Sequence, residues 1–309
     1  MYQGLKRYLV LLLLVLSLPI MAAESKLEVI DVSENIKAIV GDLSNRTPEN
    51  LGNKATFGLI ITNKGAVLID SGGSYKGAEK IHSVIKKMTN QPIKFVINTG
   101  GQDHRWFGNS YFKKLGAKII SSKAAEEDHK ERESFQWDRL ETLIGKEPIA
   151  GTTPETADIT FEKDYTLTLG DTVIEIHHRG QAHTPGDAFV WLPKEKVMFA
   201  GDIVYLERML GIGEQSNSKT WIVAFEAMAD YPANVIIPGH GHPSTLDNAK
   251  ASVYKYLKYL RSEVGKLIED DGDILALKKI DQSKYKHLHN FDALNGKNIQ
   301  KVFTEMEFE

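Results

Sequence analysis

The sequence predicts a mixed α and β fold made of two similar halves. Apolar runs of strand length alternate with segments whose apolar residues recur at helical spacing. The tight turn Asn63-Lys64-Gly65 joins two strand-like runs into a β-hairpin that leads into Asp70. Later segments place a His or an Asp just beyond a strand-like run, where loops at one edge of a sheet can converge. The pattern itself indicates only that helices and sheets occur together.

The first half contains the hairpin, further strands and two helices. Its predicted strands cover about residues 27–30, 36–40, 55–61, 66–70, 93–98 and 118–121, and its helices cover about 76–88 and 109–115. His82 lies in the first of these helical patterns and is predicted to be a surface residue. The first half therefore reads as one αβ unit.

A charged segment separates the two halves. Residues 124–146 carry Phe135, Trp137, Leu140 and Leu143 at intervals and predict an exposed, inserted helix over one apolar stripe. His129 in this segment is also predicted to be a surface residue. The second half has predicted strands over about 165–169, 172–177, 188–192, 197–200 and 234–237, and helices near 220–229 and 246–268.

Length, charge and cysteine content exclude some classes of protein. With 309 residues the chain is long enough for a sizeable core. The net charge of -3, the pI near 6.4 and the absence of a Lys/Arg run argue against a nucleic-acid partner. The sequence contains no cysteine, which excludes disulfides and a lipid-modified cysteine anchor.

The first residues have the pattern of a secretory signal peptide. Lys6-Arg7 precede the apolar run Tyr8–Leu18, and Ala22-Ala23 supply a cleavage site before Glu24. The alternative is an uncleaved membrane anchor, for which the run falls short of the ~20 residues that a spanning helix needs. We expect residues 1–23 to be removed on export, which leaves a periplasmic or secreted protein without a stable membrane anchor.

Histidine and aspartate motifs follow the strand-like runs. They are Thr99-Gly100-Gly101-Gln102-Asp103-His104-Arg105, His183-Thr184-Pro185-Gly186-Asp187, Gly201-Asp202 and Pro238-Gly239-His240-Gly241. In order and spacing these segments resemble the metallo-β-lactamase superfamily, whose first motif usually reads Asn-Thr-His-x-His-x-Asp-His. The resemblance implies a four-layer αββα sandwich of two mixed β-sheets with a helical C-terminal extension.

The same resemblance implies how the chain is divided. After the signal peptide at 1–23, a metallo-β-lactamase-like domain covers 24–269, and the extension at 270–309 packs on it. The extension is similar to that of exported members in the sulfur-oxidation and quinoprotein-associated branches, through Asn298-Ile299-Gln300 and Glu305-Met306-Glu307.

The first motif departs from the family pattern. Aligned without gaps, the family's four ligands of this motif fall on Gly100, Gln102, His104 and Arg105. A slip by one residue instead places the family's Asp-His pair on Asp103-His104, and it requires a deletion and an insertion. We favour the ungapped alignment, because a helix N-terminus tolerates a length change poorly when its first turn must present ligands.

The resemblance implies a metal site with three histidines and one aspartate. The implied ligands are His104, His183, Asp202 and His240. Imidazole and carboxylate suit zinc, and they also suit iron or manganese. Because Gly100 and Gln102 stand where the first metal position usually has histidines, we expect one zinc ion per chain.

Further residues are candidates for roles around this metal. Asp103 is the candidate to accept a proton from a metal-bound water, or it caps the following helix. Asp70 matches a family residue that orients a metal ligand, and the Gln102 amide could hold a water or a substrate oxygen. Arg105 brings a permanent positive charge to the rim, where it could pair with an anionic substrate group. Its alternative is an ion pair with Asp103 or Asp202.

These candidates predict an exported metal-dependent hydrolase with a small-molecule substrate. A metal-bound hydroxide would attack an ester, amide or lactam-like bond, so no protein nucleophile is needed. Loss of the usual first two histidines argues against an efficient two-zinc lactamase. The alternative is a non-catalytic accessory protein that holds a metal or a ligand on the same fold.

Overall fold

The computed structural model describes residues 26–309 and contains two β-sheets flanked by helices. The predicted signal peptide lies outside the described residues. The strands are β1 (Glu28–Asp31), β2 (Ile36–Val40), β3 (Thr56–Thr62), β4 (Gly65–Ile69), β5 (Ile93–Asn98), β6 (Lys118–Ser122), β7 (Ile159–Phe161), β8 (Asp164–Leu169), β9 (Thr172–His178), β10 (Ala188–Leu192), β11 (Val197–Phe199) and β12 (Val235–Ile237). The helices are α1 (Tyr75–Ile85), α2 (Asp103–Trp106), α3 (Asn109–Lys114), α4 (Lys123–Ile144), α5 (Lys146–Ile149), α6 (Ser218–Ala229), α7 (Leu246–Ala249), α8 (Lys255–Glu269) and α9 (Phe291–Glu307).

Both sheets are mixed. The first has seven strands in the order β1 to β7, antiparallel as far as β4 and parallel from β4 to β7. The second has five strands in the order β12-β11-β10-β9-β8, antiparallel except for the parallel pair of β11 and β12. The short strand β7 was not predicted from the sequence.

Apolar side chains pack in layers between and outside the sheets. The layer between the sheets includes Ile60 and Ile97 from the first sheet and Val190 and Phe199 from the second. At Gly58 the sheets approach so closely that a Cβ would collide with the Phe199 ring. Each fully buried side chain of this size contributes roughly 1.5–3 kcal/mol to folding.

Helices cover the outer face of each sheet. Outside the first sheet, α1 and α3 contribute Ala78, Ile81 and Phe112 to a second apolar cluster. Outside the second sheet, α6, α8 and α9 contribute Trp221, Leu260 and other side chains to a third. The arrangement is the predicted four-layer αββα sandwich, and a helical C-terminal region is present as expected. Within residues 26–309, no helix combines the length and apolarity needed to cross a membrane.

The C-terminal region shares the core of the second half. Ile299 and Val302 are buried in the same cluster as the side chains of α6 and α8. Asn298 is fully buried; its Nδ2 donates to Leu210 O and its Oδ1 accepts from Ile212 N, both at 2.8 Å. These bonds fix the loop that follows Asp202 in sequence.

Helix α4 is oriented differently from the prediction. It buries a polar stripe of Asp128, His129, Arg132 and Gln136, whereas the side chain of Phe135 is 61% exposed. The expectation that His129 is a surface residue is therefore wrong. The polar stripe is buried because these side chains hydrogen-bond to the loop that precedes α2, as described below.

Candidate metal centre

Segments that follow three different strands bring His104, Asp202 and His240 together. His104 lies on the four-residue helix α2, which begins just after the loop that follows β5. Asp202 lies in the 3-10 turn after β11, and His240 follows β12. Their convergence confirms that these strand ends meet at one edge of the sandwich.

The three side chains form a buried cluster with metal-ligand chemistry. One ligand atom from each residue lies within 4.8 Å of the others. His240 Nε2 is 3.2 Å from Asp202 Oδ1, and His104 Nε2 is 3.4 Å from Asp202 Oδ2. Both Nε2 atoms are buried without a hydrogen-bond partner among the described residues. Because an unpaired buried polar atom costs roughly 1–3 kcal/mol, a cation between the three side chains would satisfy both nitrogens.

Burial keeps the two imidazoles neutral. It lowers the pKa of His104 to about 4 and holds the pKa of His240 well below its usual range, so neither ring is protonated at pH 7. His240 Nδ1 donates a hydrogen bond to Lys54 O at 2.8 Å, which places the ring proton on Nδ1 and leaves the lone pair on Nε2. Two neutral imidazoles and one carboxylate are suitable ligands for zinc, iron or manganese.

Arg105 is wholly buried beside the cluster. It donates to Asp202 through Nη2 at 2.5 Å and Nε at 3.2 Å, and to Asp70 through Nη1 at 2.8 Å. The expectation that Arg105 stands at the rim and binds substrate is therefore wrong, because its donors face buried protein acceptors. Its alternative, an ion pair with Asp202, is the arrangement present. Burial alone would raise the pKa of Asp202, but the Arg105 guanidinium and the adjacent imidazoles of His104 and His240 together hold it well below its usual range.

Asp70 positions Arg105 and the loop after β5. Its Oδ1 accepts from Thr99 N, and its Oδ2 accepts from Thr99 Oγ1 and Arg105 Nη1, each at 2.8 Å. Within residues 26–309 it forms no hydrogen bond with a histidine. Asp70 therefore acts on the candidate ligand Asp202 only through Arg105, one step further from the metal position than expected.

His183 faces the same region but lies outside the three-residue cluster. Its Nδ1 donates to Gly211 O at 2.8 Å, and its Nε2 accepts from Gln102 Nε2 at 2.9 Å. Gln102 Oε1 in turn accepts from Arg46 Nη2 at 3.2 Å. Both ends of the Gln102 amide are thus bonded within the protein, and the Nε2 lone pair of His183 is already used.

Asp103 is not placed as a proton acceptor. It is buried, and both of its carboxylate oxygens accept from Arg46, with Arg46 Nε at 2.5 Å from Oδ2. Burial alone would raise the pKa of Asp103, but the Arg46 guanidinium and the adjacent His104 together hold it well below its usual range. A carboxylate so paired is a poor base, which corrects the predicted catalytic role. Asp103 is the first residue of α2, after the N-cap Gln102, so it does not cap the helix in the expected way either.

Two glycines of the first motif lie against buried acidic side chains, which occupy the space that a larger residue would need. A Cβ on Gly100 would collide with the carboxylate of Asp187, and one on Gly101 would collide with that of Asp128. Asp187 is fully buried and is held by Thr184, whose N and Oγ1 donate to it at 2.8 and 2.5 Å. Gly100 stands where the family has its first histidine, and the space for that side chain is occupied by Asp187.

Helix α4 holds the loop that contains these glycines. His129 Nε2 lies 3.0 Å from Gly100 O, and Gln136 Nε2 donates to Gly101 O at 2.9 Å. Arg132 Nη2 donates to the same carbonyl at 3.2 Å. The polar stripe of α4 thus fixes the backbone that leads into His104.

Sequence reasoning missed several residues of this region. They are Arg46, Lys54 and Asp187. Asp187 ends the motif that begins at His183, which was a signal for it. The other two are basic residues in loops, where no periodicity distinguishes them from surface charges.

A cavity of about 240 Å³ opens beside the cluster. His183, Gln102 and Tyr205 line it together with basic side chains. The Tyr205 ring stacks on that of His240, with ring centroids 4.6 Å apart. The cavity gives a small molecule access to the region of the candidate ligands.

Comparison with known proteins identifies related sequences. Residues 53–240 match the model of the metallo-β-lactamase superfamily. The metallo-β-lactamase type 2 of Elizabethkingia meningoseptica is 28% identical over 145 residues, which cover 47% of this chain and 50% of that protein. The type 2 enzyme of Bacillus sp. (strain 170) is 25% identical over 189 residues, which cover 60% of this chain and 66% of that protein. The chain thus spans half of the first relative and about two thirds of the second.

Solved structures show the same fold. The metallo-β-lactamase from Pontibacter korlensis superposes with a TM-score of 0.62 at 23% identity, covering 75% of this chain and 99% of that one. The DIM-1 metallo-β-lactamase superposes with a TM-score of 0.59 at 21% identity, covering 76% and 99%. At these identities the likeness concerns the fold.

Proposed function

Since the chain belongs to the metallo-β-lactamase superfamily, we propose that it is a metal-dependent hydrolase acting on an ester, amide or lactam-like bond of a small molecule. The observation that carries the proposal is the pair of buried, unpartnered Nε2 atoms of His104 and His240, both turned towards Asp202. Membership supports a metal-dependent hydrolase at the level of the family. The bond that is cleaved is our proposal.

His104, Asp202 and His240 would hold the metal ion, with zinc favoured and iron or manganese as alternatives. We expect one ion per chain because the residues at the family's first metal position are not available as ligands. There Gly100 has no side chain, and Gln102 is bonded to His183 and Arg46. A metal held by the three ligands would polarise the scissile carbonyl and activate a water molecule.

Residues of the chain itself position the ligands and stabilise charge. Arg105 fixes the Asp202 carboxylate, and the Lys54 carbonyl fixes the His240 ring. The side chains of Lys54 and Arg208 line the cavity. The positive charge of Arg208 would stabilise the negative charge that develops on the carbonyl oxygen during attack. No protein nucleophile and no Asp103 base is needed in this scheme.

The test combines metal analysis with hydrolysis. We expect about one zinc per purified chain, loss of zinc in His240→Ala, and retention in His242→Ala, a matched histidine two residues away. Hydrolysis of a panel of ester, amide and lactam substrates should stop on chelation and return with added zinc. A chain that binds no metal under any condition, or that hydrolyses equally well in chelator, would contradict the proposal.

A second candidate is a non-catalytic protein that only binds a metal or a small ligand. The observation in its favour is that Gln102 already satisfies His183 Nε2 and that Arg46 already pairs with Asp103. Stoichiometric metal without turnover of any substrate in the panel would favour this candidate.

Export is part of the proposal. The Lys6-Arg7 segment, the following apolar run and Ala22-Ala23 support removal of about residues 1–23 and a periplasmic or secreted location. The intact mass of protein recovered from the envelope or medium tests this, and a chain that still begins at Met1 would contradict cleavage.

A further inference from the structure

A strongly cationic cleft opens at the metal centre, although the chain as a whole has a net charge of -3. The inner part of the cleft is the cavity of about 240 Å³, whose lining includes basic side chains and no acidic one. The basic residues are Arg46, Lys54, Arg139, Arg208 and Lys297. A concave surface lined by charges of one sign concentrates ligands of the opposite sign.

Two of these cations are fixed in place by the protein. Arg46 pairs with Asp103, so its charge is largely balanced. Arg208 is only 5% exposed, and its Nη1 donates to the carbonyls of Leu43 and Ser44 at 2.7 and 2.5 Å. These acceptors are uncharged, so Arg208 presents a rigid positive charge to the cavity.

The other three cations lack partners. Throughout residues 26–309, the side chains of Lys54, Arg139 and Lys297 form no hydrogen bond and no ion pair. Arg208, Arg139 and Lys297 thus leave three positive charges that no carboxylate balances directly, whereas burial lowers the pKa of Lys54 well below its usual range. A single carboxylate on a ligand would compensate only part of this charge, whereas a group with two negative charges would meet several of these donors at once.

The outer part of the cleft is apolar on one side. A second cavity of about 440 Å³ shares Arg139 and Lys297 with the inner one and lies between α4 and α9. Phe135 and Leu143 of α4 line it, and their side chains are 61% and 40% exposed. Leu294 of α9 lines both cavities. The two cavities therefore form one cleft with a cationic inner end and an outer wall whose apolar side chains stand beside one acidic residue, Asp138.

We propose that the substrate of this site is an anionic amphiphile. A group with at least two negative charges, a phosphate ester or a dicarboxylate, binds among Lys54, Arg208, Arg139 and Lys297, and an apolar group lies against Phe135, Leu143 and Leu294. The inference deepens the proposed function and rests on it in treating the bound molecule as a substrate.

Binding to metal-free protein tests the inference without requiring turnover. The probes are 1-naphthyl phosphate, naphthalene-2,3-dicarboxylate, the neutral 1-naphthalenemethanol and inorganic phosphate, each titrated by calorimetry after removal of metal by chelation and dialysis. We expect at least one naphthyl dianion to bind on the order of 10-fold or more tighter than both the neutral probe and inorganic phosphate, because only it uses both parts of the cleft.

Matched variants locate the binding site. Arg139→Gln and Lys297→Gln should each weaken dianion binding about 5- to 10-fold, and Phe135→Ser should weaken naphthyl phosphate but not inorganic phosphate. Lys118→Gln is the control, because Lys118 is an exposed lysine at the amino end of β6. The substituted side chains form no polar contacts within the described chain, and circular dichroism checks that each variant folds.

The outcomes separate this inference from the proposed function. Equal binding of neutral and dianionic probes, or equal effects of Arg139→Gln and Lys118→Gln, would overturn the inference. If the dianions bind as expected but no ester or amide of the same class is hydrolysed after zinc is restored, the hydrolase proposal fails and the binding site stands. If neutral esters are hydrolysed and the dianions do not bind, the hydrolase proposal stands and the anionic-substrate inference fails.

Discussion

At the scale of single residues, the adjacent side chains His104 and Asp103 have opposite surroundings. His104 turns an unpartnered Nε2 towards Asp202, whereas Asp103 is held by both donors of Arg46. The ungapped alignment of the first motif predicts His104 as the ligand, and the cluster of His104, Asp202 and His240 agrees with that choice. The alignment slipped by one residue would require both Asp103 and His104 to be ligands, whereas Asp103 is paired with Arg46.

Substitution of these two neighbours gives the first prediction. His104→Ala should lower zinc affinity by more than the roughly 10- to 100-fold that loss of an outer partner causes, because it removes a direct ligand. Asp103→Asn should keep more of the zinc, since it changes only an outer carboxylate that pairs with Arg46 and lies 3.2 Å from His104 Nδ1. Zinc per folded chain after dialysis is the measurement. Equal loss in both variants would instead support the slipped alignment, and full retention in His104→Ala would exclude His104 from the site.

Buried Arg105 gives the second prediction. Its removal leaves Asp70 and Asp202 without their shared cation, and breaking a buried ion pair from one side costs roughly 3–5 kcal/mol. Arg105→Met should therefore lower the free energy of unfolding of metal-free protein by about that amount. Arg179→Met, at a partly exposed pair with Asp164, should cost no more than about 1 kcal/mol. Urea denaturation compares the two, and equal costs would show that Arg105 has no special structural role.

The sequence indicated which segments meet, but not the contacts of their side chains. The order of the motifs placed His104, His183, Asp202 and His240 beyond strand ends, and the fold brings His104, Asp202 and His240 together while His183 bonds to Gln102. The pairing of Arg46 with Asp103 joins positions 57 residues apart, and the Gln102 amide meets His183 across 81 residues. Such contacts depend on side-chain directions after folding, which neither spacing nor residue type specifies.

At the scale of elements, α4 shows where a periodic pattern fails. Its apolar residues suggested a helix resting on an apolar stripe, yet Leu140 and Ile144 are buried while Phe135 and Leu143 are exposed. The buried face is largely polar because it carries the donors for the carbonyls of Gly100 and Gly101. Hydrophobic periodicity cannot identify a face that is buried through hydrogen bonds.

The third prediction concerns this contact between α4 and the metal loop. Gln136→Leu removes a donor to the buried carbonyl of Gly101, which leaves Arg132 as its remaining donor from α4. We expect a loss of about 1–2 kcal/mol in stability and weaker zinc binding, because the loop leads directly into His104. Gln300→Leu, an exposed glutamine on α9, is the control and should change neither. If Gln136→Leu behaves like the control, α4 does not support the site.

At the scale of the whole molecule, burial of several histidines links stability to pH. His104, His129, His183 and His240 all have a pKa lowered by burial. A depressed pKa means that the unfolded chain binds more protons than the folded one as the pH falls below 6.5. Their contribution to stability is therefore fully present above pH 6.5 and is lost progressively towards the folded-state values. The family resemblance of the motifs implied the four-layer fold, but this pH sensitivity depends on how deeply the layers enclose each ring.

The fourth prediction concerns His129, whose contribution to this pH dependence can be measured separately because it is not one of the candidate ligands. Its ring is fully buried, stacks on Trp106 with centroids 4.3 Å apart, and has its pKa lowered by burial to about 3. Between pH 7 and pH 5, protonation of His129 in the unfolded chain should cost metal-free protein about 2 kcal/mol. His129→Phe keeps a stacking ring that cannot be protonated, so it should lose about 2 kcal/mol less over this interval, even though its stability at pH 7 falls with the hydrogen bond to Gly100. His287→Phe, at an exposed histidine, should follow the unmodified chain. Urea denaturation at both pH values measures the difference, and an unchanged pH dependence in His129→Phe would mean that its ring is not the buried neutral group described here.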